Sequence, residues 1–246
     1  MITVSYGGGT NSTALLVGLK ERGIRPDCIT FADTGGEKPH TYDYLSIMSS
    51  WCADNDFPEI VTVRNGGAGE TLEDNCLRRK ALPSIAYGFK TCSQRWKLQP
   101  QEKYFNNLAE AKSVWSSGDK IVRAVGFDAD EPQRAREYQD DKYENRYYLI
   151  DWDWGRQECI DAIKRVGLPL PGKSACFFCP SSKPSEIKWL ALQHPELMDR
   201  AIAIESGAEL TQVAGLGRSF RWQDVIATDD MFPESFIDQA CGCYDG

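Results

Sequence analysis

Residues 3–16, TVSYGGGTNSTALL, constrain the fold more than any other stretch. Ile2, Val4 and Tyr6 alternate with polar residues, the period of a short strand. Gly7, Gly8 and Gly9 follow, then Thr10, Asn11 and Ser12, and the apolar run from Ala14 to Val17 restarts the chain as a helix. A strand that breaks into glycines and resumes as a helix leaves backbone N–H groups converging at the helix N-terminus, a nest for phosphate or sulfate. Asn11 or Ser12 suits the cap. A tight turn alone needs fewer than three adjacent glycines. The spacing is neither the dinucleotide fingerprint nor the Walker A loop.

The remainder reads as strands alternating with helices. Cys28 to Ala32 is a second strand ending in Asp33-Thr34-Gly35-Gly36-Glu37, and Ile60 to Val63 a third. Ile121 to Val125 is a buried strand ending in Gly126-Phe127-Asp128, with Asp130, Glu131, Arg134 and Arg136 close behind. Tyr147 to Ile150 reads as one more short strand. Helices are expected over residues 11–22, 42–51, 71–80, 108–116, 159–166, 185–192 and 195–205. This alternation predicts a doubly wound, mostly parallel α/β sheet over residues 1–172. The Pro/Gly-rich residues 167–172 then link to a small cysteine-bearing helical subdomain, residues 173–246. In a doubly wound sheet Asp33 falls at a strand carboxyl end beside the glycine loop, where acids serve a ribose, a metal or a reacting group.

The 246 residues, 41% apolar, are enough for a full core, and no apolar run is long enough to cross a membrane. Met1 leads straight into a strand, so a cytoplasmic protein without structural disulfides is expected, and its nine cysteines need another explanation. The net charge of −8 opposes broad electrostatic binding of nucleic acid. One stretch stands apart. From Arg78 to Gln101 there is no acid, while Arg78, Arg79, Lys80, Lys90, Arg95 and Lys97 are interleaved with Tyr87, Phe89 and Trp96. Such a stretch tracks a phosphate backbone of DNA or RNA, closes over a nucleotide, or forms a solvated surface.

Cys176-x-x-Cys179 lets two sulfurs reach one metal, or forms a redox dithiol. Cys92, Cys241 and Cys243 also lie in polar, turn-rich contexts. A quartet of Cys92, Cys176, Cys179 and either Cys241 or Cys243 suits zinc or a [4Fe–4S] cluster. Cys28, Cys52 and Cys159 read as core residues.

Several of these motifs, in order, resemble the phosphoadenosine-phosphosulfate reductase family of the adenine nucleotide alpha-hydrolase-like (PP-loop) superfamily. Residues 7–12 resemble its S-G-G-x-D-S loop, residues 31–35 its second-strand motif, and Cys92 to Pro100 its cysteine-basic-proline segment. Residues 126–134 stand at its glycine-led, arginine-ended loop, and residues 149–152 and 167–169 resemble the approach to its Cys-x-x-Cys. The chain carries Gly7 at the family's serine, Thr10 at its variable position and Asn11 at its acidic position. Asp128 stands where a basic residue is expected. Cys241-Gly242-Cys243 is similar to the mobile catalytic cysteine, without the surrounding Glu-Cys-Gly-x-His.

The resemblance implies a nucleotide phosphate or sulfate at Gly7, Gly8, Gly9, Thr10, Asn11 and Ser12. Asp33, Thr34 and Gly35 would sit near the ribose, and Arg95, Lys97 and Arg134 would close over the charge. Cys243 or Cys241 would attack sulfur as a thiolate. A second reading is thiolation or base excision on a flipped nucleotide of DNA or RNA, with Asp33, Asp128 or Glu131 as acid–base groups. A third is a non-catalytic nucleotide sensor with a structural metal. A homodimer is compatible with each.

Overall fold

The computed structural model describes residues 1–65, 69–83, 85, 86, 89–135 and 139–228, with backbone alone for 85, 86, 89 and 90. Seven strands are present among them: β1 (Ile2–Ser5), β2 (Cys28–Asp33), β3 (Ile60–Arg64), β4 (Ile85–Ala86), β5 (Phe89–Lys90), β6 (Ile121–Ala124) and β7 (Tyr143–Arg146). Five make one wholly parallel sheet in the order β3-β2-β1-β6-β7, and β4 and β5 pair as a separate antiparallel ribbon. Every residue of β2 is buried, as a central parallel strand covered on both faces requires.

The helices are α1 (Thr10–Glu21), α2 (Pro39–Asp54), α3 (Leu72–Arg79), α4 (Gln99–Phe105), α5 (Ala109–Ser116), α6 (Tyr148–Asp151), α7 (Arg156–Arg165), α8 (Pro184–Gln193), α9 (Pro195–Gly207) and α10 (Trp222–Ile226). Val4, Tyr6, Ile29 and Phe31 pack with Leu15, Leu16, Met48 and Ile163 of α1, α2 and α7 on one face of the sheet. On the other, Cys28, Ile121 and Tyr143 pack with Phe105 of α4 and Ala111 of α5. There Ser5 and Thr30 both donate to Gln101 Oε1, at 2.6 and 2.8 Å. No helix among the described residues is long and apolar enough to cross a membrane.

A second core joins α8, α9 and α10 to Phe177 and Phe178, and it also takes Leu72 and Cys76 of α3 and Trp96. Trp96 lies in a π-helical segment, Ser93–Leu98, running directly into α4. Such segments are rare and concentrate at functional sites.

One expected element changes type. Tyr147 to Ile150 is no strand: Asp151 N–H and Trp152 N–H donate to the carbonyls of Tyr147 and Tyr148, closing a helical turn that buries Leu149. Short apolar runs do not separate strand from buried helix by period. The edge strand is the preceding Tyr143–Arg146, polar along most of its length as exposed edges are.

Candidate functional site at the strand carboxyl ends

β1 leads by way of α1 to β2 on one side, whereas the chain from β6 continues to β7 on the other. Where neighbouring parallel strands send their loops in opposite directions, a crevice opens at their carboxyl ends. Here those strands are β1 and β6. Gly8 takes φ +76°, and a Cβ there would lie 2.8 Å from Thr41 Cγ2, so the loop needs glycine twice over. Gly9, not the expected Asn11 or Ser12, is extended and caps α1; its N–H donates to Ser12 Oγ (3.3 Å), which donates back to Gly9 O (3.1 Å). From the β6 side Gly126 rests on this first turn: a Cβ would stand 3.1 Å from Ser12 N and 3.2 Å from Ser12 Cα.

The two loops are joined by side chains. Asn11 Nδ2 donates to Asp128 Oδ2 (2.8 Å), and Asn11 Oδ1 accepts from Arg156 Nη1 (3.0 Å). Asp130 Oδ2 accepts the Arg156 backbone N–H (2.7 Å), fixing the start of α7. Asp128 is 1% exposed, and its Oδ1 has no partner among the described residues. Burial pushes the Asp128 carboxyl above its ordinary range, and the charges of Glu131 and Asp130 add to this. Asn11 and Arg156 oppose it. Asn11 and Asp128 are thus partners, an amide and a carboxyl joining the two loops. Glu131 pairs with Arg134 (2.6 Å), whose guanidinium lies 4.2 Å over the Phe127 ring, itself stacked on Tyr147.

Asp33 has a different role. Its Oδ1 accepts from Gly35 N–H (2.7 Å) and the Tyr42 hydroxyl (2.8 Å); its Oδ2 accepts from Arg64 Nε (2.8 Å) and Nη2. Arg64 is its direct neighbour in the β2–β3 register. With both oxygens occupied, Asp33 holds the turn through Thr34 and Gly35. Gly35 has φ +74° and packs on Thr71, and Thr34 O accepts the Leu72 N–H that starts α3.

The same turn is sewn to the Cys-x-x-Cys. Glu37 forms an antiparallel bridge with Cys176, Phe177 N–H donates to Gly36 O (2.8 Å), and Lys38 N–H donates to Ala175 O (3.3 Å). Cys176 Sγ lies 3.1 Å from Thr34 Oγ1 and 3.7 Å from Glu37 Oε1, and Lys97 Nζ stands 3.5 Å from that same oxygen. Glu37 is 4% exposed and its Oε2 has no partner among the described residues.

Cys92, Cys176 and Cys179 line one cavity with Thr34, Lys97 and Pro180, about 20 Å³ in volume, room for about one water. The donor set, three soft sulfurs on one cavity, fits zinc or an iron–sulfur cluster in chemistry. In geometry, no three His, Cys, Asp or Glu side chains among the described residues converge as metal ligands. Cys241 and Cys243, one of them the expected fourth ligand and the other the nucleophile, lie outside the described residues. Cys28, Cys52, Cys76 and Cys159 are buried in cores, their thiols pushed up by desolvation to about 11 for Cys28 and about 12 for the others.

The acid-free stretch divides. Arg78 pairs with Glu70 (2.8 Å), Lys80 with Glu209 (3.6 Å), and Lys97 is turned inward onto Glu37, while Arg79 and Arg95 are exposed. Trp96 is 3% exposed and belongs to the second core, so it is no part of a surface stacking stripe. Tyr87 and the side chains of Phe89 and Lys90 lie outside the described residues.

Sequence reasoning missed Arg64 and Arg156. Arg64 could have been found by pairing the ends of β2 and β3. Arg156 carries no such signal, since it is brought to Asn11 by the packing of α7 on α1. No protein-family model matches the chain, and no curated protein matches it.

Proposed function

We propose that the chain is an enzyme of the phosphoadenosine-phosphosulfate reductase type, with a PP-loop nucleotide-binding domain and a smaller C-terminal cysteine subdomain. It binds the phosphate or sulfate of a nucleotide at the N-terminus of α1. The observation that carries this reading is the β1–β6 switch point, where Gly126 abuts the first turn of α1 and Asp128 is left with one buried, unpartnered oxygen. Helix N–H groups favour an anion at that place. The buried carboxyl of Asp128 can hold or release a proton there, as acid–base chemistry at a substrate oxygen or sulfur requires. Arg134, stacked on Phe127, supplies cationic charge from the β6 loop.

Cys92, Cys176 and Cys179 line one cavity, and with one of Cys241 and Cys243 they would supply four thiolates to a metal in this reading. Zinc would clamp the subdomain, and a [4Fe–4S] cluster would add redox capacity. Metal and labile sulfide on protein purified without oxygen distinguish them: one zinc per chain, or about four iron and four sulfide.

Titration calorimetry with adenosine 3′,5′-bisphosphate, AMP and single-stranded DNA and RNA oligonucleotides tests the substrate class. The mononucleotides should bind saturably at one site. Oligonucleotide binding with a steep salt dependence and no mononucleotide binding would overturn this reading in favour of a nucleic-acid substrate gripped by residues 78–101.

A further inference from the structure

The carboxyl of Asp128 stands beside a loop built for an anion. Two negative groups in a buried crevice repel strongly, so its chemistry there needs an account. Its Oδ2 is occupied by the amide N–H of Asn11, leaving Oδ1 as the atom on which a proton can sit. A carboxylic acid protonated on Oδ1 has a carbonyl oxygen, Oδ2, that accepts from Asn11, and a hydroxyl that must donate to something. Among the described residues Oδ1 has no hydrogen-bond partner, so no donor satisfies it as a carboxylate oxygen.

We propose that Asp128 binds the ligand anion as a neutral acid, donating a hydrogen bond from Oδ1 to an anionic oxygen held at the N-terminus of α1. This donor gives the site a hydrogen bond without adding a fixed positive charge. Ligand binding then takes up one proton whenever Asp128 is ionised in the free protein. This inference rests on the anion-binding reading above and adds the protonation state of the bound site.

The surroundings are consistent with it. Asp130 and Glu131 on the same loop are acidic and favour a protonated neighbour. Arg156 on α7 is the opposing cation, one residue removed through Asn11, and its backbone N–H is held by Asp130. Cys159 of α7, whose thiol burial also raises, is neutral at ordinary pH. α1 presents only the neutral Asn11 to the carboxyl.

Sulfate is the probe, because it does not titrate between about pH 5.5 and 8.5 and any pH dependence belongs to the protein. Titration calorimetry of the full chain, in two buffers of different ionisation heat, counts the protons taken up. Where Asp128 ionises within that range in the free protein, uptake should approach one proton, with affinity falling about tenfold per pH unit. In Asp128→Asn the amide supplies the donor permanently. Its sulfate affinity should stay within about threefold of the wild-type value at low pH and be flat with pH. Sulfate affinity lost in Asp128→Asn at low pH, or a pH slope that survives in Asp128→Asn, overturns the inference and leaves the anion site standing. Failure of both sulfate and adenosine 3′,5′-bisphosphate to bind at any pH overturns the site itself, and the inference with it.

Discussion

Two aspartates end neighbouring regions of the same sheet edge, and both are almost wholly buried. Asp33, after β2, satisfies both oxygens with a backbone N–H, a phenol and a guanidinium. Asp128, after β6, gives one oxygen to an amide and leaves the other unpartnered among the described residues. Burial is equal in the two, so burial does not separate a structural carboxyl from a chemical one. Unmet hydrogen-bonding capacity does, because an unpaired buried polar oxygen is a cost that folding alone gives no reason to keep.

The sharpest way to break this comparison is to truncate both. Asp33→Ala should lose about 3 kcal/mol of stability in urea unfolding, since it orphans the Gly35 N–H and the Tyr42 hydroxyl. The share of Arg64, whose side chain is 62% exposed, is screened by solvent. Asp128→Ala should cost about 1 kcal/mol or less, for the lost Asn11 contact, while weakening anion binding at least about tenfold. Equal losses of stability would erase the distinction.

Gly126→Ala comes next. Its Cβ would press on the backbone of Ser12, which cannot give as a side-chain tip can, and about 1–2 kcal/mol should be lost with a matching loss of ligand affinity. An unperturbed variant would mean that the β6 loop does not seat on α1.

The pH dependence of stability sharpens the contrast. A carboxyl whose native pKa is raised favours the fold most below its unfolded pKa, and that contribution is lost as pH rises through the native value. Asp128→Asn removes this loss. The variant should therefore match or exceed wild type in stability at neutral pH, with the difference shrinking toward acid. Chemical denaturation at several pH values reads it.

Smallest in effect is thiol reactivity. Cys28, Cys52, Cys76 and Cys159, buried and with raised thiols, should resist alkylation of the native protein at pH about 8 and react on unfolding.

How far the sequence disclosed this arrangement depends on the range of each signal. The glycine loop and strands β2, β3 and β6 follow from local period and turn chemistry, and they were readable, whereas the cap of α1 fell on Gly9 and not on Asn11 or Ser12. β7 was not, because a polar edge strand lacks the apolar signal that the adjacent Leu149 turn supplied instead. Asp33 was visible as a site candidate, but the Arg64 that occupies it comes from the neighbouring strand. Asn11 and Asp128 each looked like a departure from a family pattern. Only the meeting of β1 and β6 makes them one pair, 117 residues apart in sequence.

The central claim is that a nucleotide anion binds at the β1–β6 switch point, and amide chemical-shift mapping tests it most directly. Adenosine 3′,5′-bisphosphate added to ¹⁵N-labelled protein should shift the amides of Gly8 to Ser12 and of Val125 to Asp128 most strongly. Shifts centred instead at the opposite sheet edge, in the cavity of about 510 Å³ lined by Asp27, Pro58, Tyr104 and Leu108, would contradict it.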